Sequence, residues 1–378
     1  MVLVKNNTLV PKSLNRFAIQ NTMEKDQTYF GVKEIARRAN VSIATVDRVI
    51  HNRTGVSEKT KKKINEIITE LDYQPNILAS RLASKNIIML AVLIPRVSEE
   101  TDFWDAPLCG VRRAEKEIKP YGIQTITYFF DLNDEGSFAA QADLILKKGV
   151  NGVLLSPSFI TQSIYFTETL QKKKIPFVFI DSNIPEQRSL AYIGPHLFKS
   201  GYLGAKLLTY KTSTHNKILV VNISKEIENY NYLQIEEGFR TYLKDNQFPN
   251  EVIRIDIRET DYLSVARHMT EVFRDHEDIK AVFVTNSRVF TVATFIRNSN
   301  KKQIALVGYD FIRENIEYLN AGIIDFLICH KPEEQAYRAM MVLYQTLVRG
   351  HAVDKTQYMP IDIITKENQE FYQTQPAN

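Results

Sequence analysis

A chain of 378 residues, 44 % hydrophobic and 24 % charged, has the make-up of a globular protein with two or three domains. Its longest clean apolar run, Ile87 to Ile94, is far too short to span a bilayer, so no membrane partner is predicted. Net charge is only +4, but residues 1–85 hold 15 Lys/Arg against 8 Asp/Glu and the remainder 33 against 36, a basic head on a mildly acidic body that points the head toward a polyanion.

The N-terminal MVLVKNNTLVPK lacks the apolar core and cleavage site of a secretory signal. Residues 1–29 are polar and aperiodic and are predicted to be a disordered extension; Met23 offers an alternative translation start just before the first helical pattern. From Gly31, Val32, Ile35, Ala36 and Ala39 recur at helical spacing, and Asn40-Val41 breaks the pattern. Ser42 is placed to cap a second helix with Val46, Val49 and Ile50 on one face. After the loop Asn52–Gly55, Ser57 caps a third helix with apolar Ile64, Ile67, Ile68 and Leu71 and a basic run, Lys59 and Lys61–Lys63. Three short helices with a tight turn between the first two make a helix-turn-helix. Pro75 then opens a short helical segment that ends near Lys85.

Beyond it the texture alternates strand and helix. Strands are predicted at Ile87–Ile94, Gln124–Phe130, Gly152–Leu155, Phe177–Ile180, Ile218–Ile223, Val252–Ile257, Ala281–Thr285, Ile304–Gly308, Phe326–Cys329 and Ile361–Ile364. The expected fold is an all-α helix-turn-helix head on an α/β body of doubly wound parallel sheets. Ten strands exceed one comfortable core, so two lobes are expected, with a ligand site at the strand ends between them. Cys109 and Cys329 match no metal or redox spacing and read as buried free thiols in a reducing cytoplasm; no metal or other cofactor is predicted.

At GVKEIARRANVSIATVDRVIHNRTGVSEKTKKKINEIITELDYQPNILASRLAS, residues 31–84, the chain resembles the lactose/galactose-repressor (LacI-type) family of transcription regulators, and more loosely so through VGYDFIRENIEYLNAGIIDFLICHKPEEQAYRA. The combination V-S-x-x-T-V-x-R-V, V-S-x-x-T and Y-x-P-N-x-x-A-x-x-L is specific. The resemblance implies a cytoplasmic homodimeric or tetrameric repressor with a two-lobed, periplasmic-binding-protein-like (type 1) body. The domains are then an extension at 1–29, a DNA-binding head at 30–74, a hinge helix at 75–85, an effector-binding and dimerisation body at 86–368 and a tail at 369–378. The tail lacks leucine heptads, which makes a dimer the default.

In such a head the start of the second helix reaches base edges. Ser42, Ile43, Ala44, Thr45 and Arg48 form the outward set, with Arg48 suited to a guanine or a phosphate. Asn52, Thr54 and the lysines from Lys59 to Lys63 suit phosphates. Asp47 stands where the family usually carries Ser; it can accept from a cytosine amino group or pair with Arg48 or Arg53, and the ion pair is favoured. In the hinge the resemblance makes Leu82 a wedge between base steps, with Ala79 one turn earlier; the alternative is a plain linker helix whose Leu82 packs on the body.

For the sensor, Phe103 and the chain's single tryptophan, Trp104, follow the first body strand, where the family stacks aromatics on sugar rings; core packing is the competing role. Asp181 and Asp310 end strands, where a carboxylate can take two sugar hydroxyls, and Asn286 ends a third. Ile235 replaces the family's anchoring Arg, His330 its Gln, and Pro195-His196 its Gln-Asp, so an effector other than a typical free sugar, or a weakened site, is an open alternative. The expected function is a DNA-binding regulator on a palindromic operator, controlled by a small carbohydrate-like effector. A solute-binding protein without a DNA role and an enzyme are the alternatives; no nucleophile–base motif, P-loop or metal spacing supports catalysis.

Overall fold

The computed structural model describes residues 31–50, 53–71, 73, 87–98, 101–225, 230–299, 301 and 303–372. The extension at 1–29, Asn52, the hinge segment 75–85 with Ala79 and Leu82, and residues 373–378 of the tail lie outside them. The chain divides into two compact units, Met1–Asn76 and Ile77–Asn378.

In the first unit, helices α1 (Val32–Ala39), α2 (Ile43–Ile50) and α3 (Glu58–Glu70) enclose a small core of Ile35, Ala36, Ala39, Val46, Ile64 and Ile67. The turn works because Asn40 adopts a left-handed conformation, φ 58°, that ends α1 and returns its N–H to the helix carbonyls. The Ser42 hydroxyl then accepts from the Thr45 amide at 3.1 Å and starts α2. Ser57 likewise caps α3 through the Thr60 amide.

The second unit is built from two six-stranded sheets. The first lobe takes β1 (Ile88–Pro95), α4 (Asp105–Ile118), β2 (Ile123–Phe130), α5 (Glu135–Lys148), β3 (Gly152–Leu155), α6 (Ile160–Lys172), β4 (Phe177–Ile180) and β5 (Ala191–Gly194). The second takes α7 (Leu197–Thr209), β6 (Lys217–Ile223), α8 (Tyr230–Asp245), β7 (Val252–Ile257), α9 (Tyr262–Asp275), β8 (Ile279–Val284), α10 (Val289–Asn298), β9 (Ala305–Tyr309), α11 (Arg313–Asn320) and β10 (Phe326–Cys329). The chain returns to the first lobe for α12 (Pro332–Arg349) and β11 (Thr356–Tyr358), then crosses again for β12 (Asp362–Ile364). It therefore passes between the lobes three times, near 195, 330 and 360. Sheet orders are β11-β5-β4-β3-β1-β2 and β12-β10-β9-β8-β6-β7. All pairings are parallel except β10 with β12.

Both faces of each sheet are covered, which is why the central strands read as unbroken apolar runs. In β1, Leu90, Val92 and Ile94 enter the core on one face while Ala91 and Leu93 enter the other. In β6, Leu219, Val221 and Ile223 point one way and Ile218 and Val220 the other. In the second lobe α7 and α8 touch backbone to backbone. A Cβ on Gly201 would overlap the Ile235 carbonyl, and one on Gly238 the Phe198 carbonyl.

Ten predicted strands correspond to β1–β4, β6–β10 and β12, with ends shifted by a residue or two. Sequence reading missed β5 and β11. β5, AYIG, has only two strong strand formers and ends on a Gly-Pro break, and β11 is a three-residue edge strand whose Thr356 and Tyr358 are exposed. The cysteine expectation needs correction. Cys329 is buried, but Cys109 is exposed on α4, whose inward positions are Pro107, Gly110, Val111 and Ala114. Among the described residues no helix is long and apolar enough to cross a membrane.

Candidate functional sites: a helix-turn-helix face and an interlobe cleft

In the head, Val46 is the fully buried residue of α2, and this orients the rest. Ser42, Ile43, Ala44 and Arg48 are exposed and Thr45 half-buried, so the predicted outward set shares one face. Ile43 is 49 % exposed. The Ser42 and Thr45 hydroxyls also share a hydrogen bond at 2.9 Å, which fixes their rotamers. Asp47 pairs with Arg53 at 3.1 Å, so the ion-pair alternative for this acid is the one realised. Thr54 and Lys59 are exposed.

The lysine run behaves differently from a uniform phosphate patch. Lys63 donates to the Ala39 carbonyl at 3.0 Å and so closes the C-terminus of α1, and Lys61 pairs with Glu58 at 2.7 Å. Lys59 and Lys62 are exposed and make no such bond to a described residue. Glu34 is bonded by both Arg37 and Arg38, which hold its carboxyl down at about 2. Arg38 also reaches Glu70 at 2.8 Å and ties α1 to α3.

In the body, the C-terminal ends of the strands of both lobes face one cavity of about 140 Å³. That position is the expected one for a ligand in parallel α/β sheets. All seven predicted effector residues line it: Phe103, Trp104, Asp181, Ile235, Asn286, Asp310 and His330. Hydrogen bonds between described residues cross the cleft. Ser182 Oγ donates to Asn231 Oδ1 at 2.8 Å, and Lys225 Nζ donates to the Asn133 carbonyl at 2.9 Å.

The aromatic pair packs edge to face, centroids 5.1 Å apart. Trp104 is 5 % exposed and belongs to the first-lobe core, so its packing role is realised, and only part of its surface meets the cavity. Phe103 is half-buried and offers more of its ring. Ile235 packs in the core of the second lobe with Phe239 and forms apolar floor. His330 Nε2 and Ser200 Oγ are 2.8 Å apart, and the same Oγ donates to Tyr309 Oη at 3.0 Å. Burial pushes the imidazole down to about 3, so it stays neutral, and pushes the Tyr309 phenol up. Both amide protons of Asn286 are already given, to the Ile223 carbonyl at 2.7 Å and the Tyr232 hydroxyl at 3.2 Å. Its Oδ1 accepts from the Arg288 amide at 3.1 Å, so Asn286 shapes the wall and can offer a ligand only its remaining lone pair.

The two strand-end acids have the most distinctive environment. Asp181 and Asp310 both sit in the left-handed region, φ 64° and 74°, which short polar residues tolerate best after glycine. Their backbones are pinned. Gln335 accepts from the Asp181 amide at 2.9 Å and donates to the His330 carbonyl at 2.9 Å, which joins β4 to the second crossing. Asn315 donates to the Tyr309 and Asp310 carbonyls. The carboxyls themselves take no hydrogen bond from a described residue. Burial pushes Asp181 up to about 7; burial and then the Asp181 charge push Asp310 well above the carboxylate range.

Sequence reading missed Ser158, Lys225, Asn231, Tyr232, Thr260 and Arg288, which also line the cleft. Most follow a strand end, and that rule applied to every predicted strand would have found them. Pro195 lines the cavity too, whereas His196 faces a neighbouring pocket and stacks on Tyr358 at 4.6 Å.

Comparison with known proteins agrees with this architecture. Residues 31–76 match the profile of the bacterial regulatory proteins of the lacI family, and residues 90–351 that of the periplasmic binding protein domain. The HTH-type transcriptional regulator RegA of Clostridium acetobutylicum is 31 % identical over 158 residues, a match spanning 42 % of this chain and 45 % of RegA. The sucrose operon repressor of Lactococcus lactis is 21 % identical over 334 residues, 88 % of this chain and 98 % of that one. A solved structure from Bacteroides fragilis, described as a LacI transcriptional regulator, superposes with a TM-score of 0.72 at 27 % identity, over 76 % of this chain and 100 % of its own. With a helix-turn-helix of the lacI type joined to a periplasmic-binding-protein body, the chain belongs to the lacI family of bacterial transcription regulators.

Proposed function

We propose that this protein is a cytoplasmic homodimeric repressor that binds a palindromic operator and answers to a small hydroxylated effector of the sugar class. In this reading residues 30–74 are the head, 75–85 the hinge and 86–368 the effector-binding and dimerisation body. Ser42, Ile43, Ala44, Thr45 and Arg48 meet base edges, while Thr54, Lys59 and Lys62 meet phosphates. Asp47 keeps Arg53 in place rather than touching a base.

The observation that carries the proposal is the cleft. Two strand-end carboxyls from opposite lobes converge on one small cavity beside the Phe103 ring, in a chain that also carries a helix-turn-helix. A cavity of about 140 Å³ lies below the roughly 300–1,000 Å³ of pockets for drug-sized ligands, so it fits one ring rather than several. A ligand that touches both lobes favours one interlobe arrangement by its differential affinity, and the three crossings are where that change is absorbed. The sucrose operon repressor among the relatives supports the sugar class. Catalysis is not part of this reading, because the relatives are regulators.

The test is operator retention by the full chain in gel-shift and footprinting assays, with and without a panel of monosaccharides and their derivatives. The expected result is a two-fold symmetric footprint, a steep loss of affinity with salt, and a shift of operator affinity by at least one sugar. A protein that binds sugars but shows no salt-dependent DNA retention would instead be a solute-binding protein.

A further inference from the structure

The charge of the cleft narrows the class of effector. Asp181 at the end of β4 and Asp310 at the end of β9 reach the same cavity from opposite lobes, and no described residue donates to either carboxyl. The surroundings do not neutralise them. Ile235 is apolar, and His330 is neutral because burial pushes it down to about 3. The Lys225 ammonium is used across the cleft on the Asn133 carbonyl. Arg288 lines the cavity too, yet both acids are raised, with no cation pulling either down.

Two carboxylates that share a desolvated space cannot both ionise unless a cation joins them. A sugar hydroxyl brings a donor without charge. An ammonium brings three donors and the missing charge, and its hydrogen bonds to carboxylates are the charge-assisted kind. The half-buried Phe103 ring adds a face that attracts a cation. We propose that the effector is an amino sugar, a hydroxylated ring whose ammonium is held between Asp181 and Asp310. The proposal rests on the sugar-class reading of the cleft and specifies it further.

Calorimetry on the full chain at pH 7 tests it, with glucosamine, galactosamine and mannosamine set against glucose, galactose and mannose and against the N-acetylated amines. Two buffers of different ionisation enthalpy report proton exchange. One hexosamine should bind at least about tenfold tighter than both its parent hexose and its N-acetyl form. Its charged amine should also expel the proton that the raised acid pair holds. Asp310→Asn, which suits the left-handed backbone, should weaken that hexosamine at least about tenfold more than it weakens the parent hexose. A melting curve checks its folding, and Asp181→Asn serves if it does not fold. A parent or N-acetylated sugar that binds as tightly as the amine, or a neutral sugar that binds with proton uptake, overturns the amine assignment and leaves the sugar reading standing. If no sugar or amino sugar binds, the sugar-class reading falls, and this proposal with it.

Discussion

Replacing Asp181 with Asn should stabilise the ligand-free protein, by an amount that grows as pH rises above about 4 and is complete above about 7. Burial in the cleft pushes the carboxyl from its ordinary 3.8 up to about 7. Between those values the unfolded chain loses its proton first, so the stability that Asp181 contributes is complete below about pH 3.8, is lost as pH rises toward 7, and stays lost above. Each pH unit is worth about 1.4 kcal/mol, which sets an upper limit of about 4 kcal/mol. Opening of the lobes hydrates the carboxyl and relieves part of this cost, so about 2 kcal/mol is expected. For a body of this size that corresponds to a rise of about 4 °C in Tm. Asn fits the observed φ of 64° and has no charge to bury, so the substitution isolates the ionisation term. Thermal melts of the parent and variant at pH 4, 6 and 8 measure it. A variant that is less stable than the parent at pH 8, or that gains equally at pH 4 and pH 8, would refute the reasoning. The gain comes at the expense of the site, because a binding cleft is a place where stability is given up for function.

Arg48→Ala should lower operator affinity by about 1–3 kcal/mol and random-sequence affinity by less; equal losses in filter binding would make Arg48 a phosphate contact. Asp47→Asn breaks an ion pair whose partners are 44 % and 63 % exposed, so stability should change by less than about 0.5 kcal/mol while non-specific DNA binding tightens. Weaker non-specific binding would show that Arg53 needs its partner to be positioned. Gly201→Ala would drive a methyl group into the Ile235 carbonyl and should cost more than about 2 kcal/mol in urea unfolding. The gain of about 1 kcal/mol that alanine brings to an unobstructed helix would disprove the close approach of α7 and α8.

Much of this protein can be read from local pattern. The helical spacing of Ile35, Ala36, Ala39 and Val46, the cap residues Ser42 and Ser57 and the break at Asn40 are short-range signals, and the head follows them. The apolar runs of β1 and β6 mark strands covered on both faces, and the βαβ rhythm led to two lobes. Strand-end positions were legible too, which is why Asp181, Asn286 and Asp310 could be placed at the cavity from sequence, whereas His330 came from the family resemblance. Elements poor in strand-forming apolar residues, β5 and β11, were not legible.

Only the tertiary structure decided what those residues do there. A lysine in a basic run looks the same whether it faces a phosphate or, as with Lys63, a helix carbonyl 24 residues away. Nothing in the local sequence announces that Asn286 spends its amide on Ile223 and Tyr232, or that Cys109 faces outward. Asp181 and Asp310 lie 129 positions apart, and their mutual repulsion exists only because the two sheets face each other. Residue types and their spacing set secondary structure through interactions a few residues long. Burial, desolvation and the pairing of charges depend on which distant segments share a space, and that is a property of the folded chain.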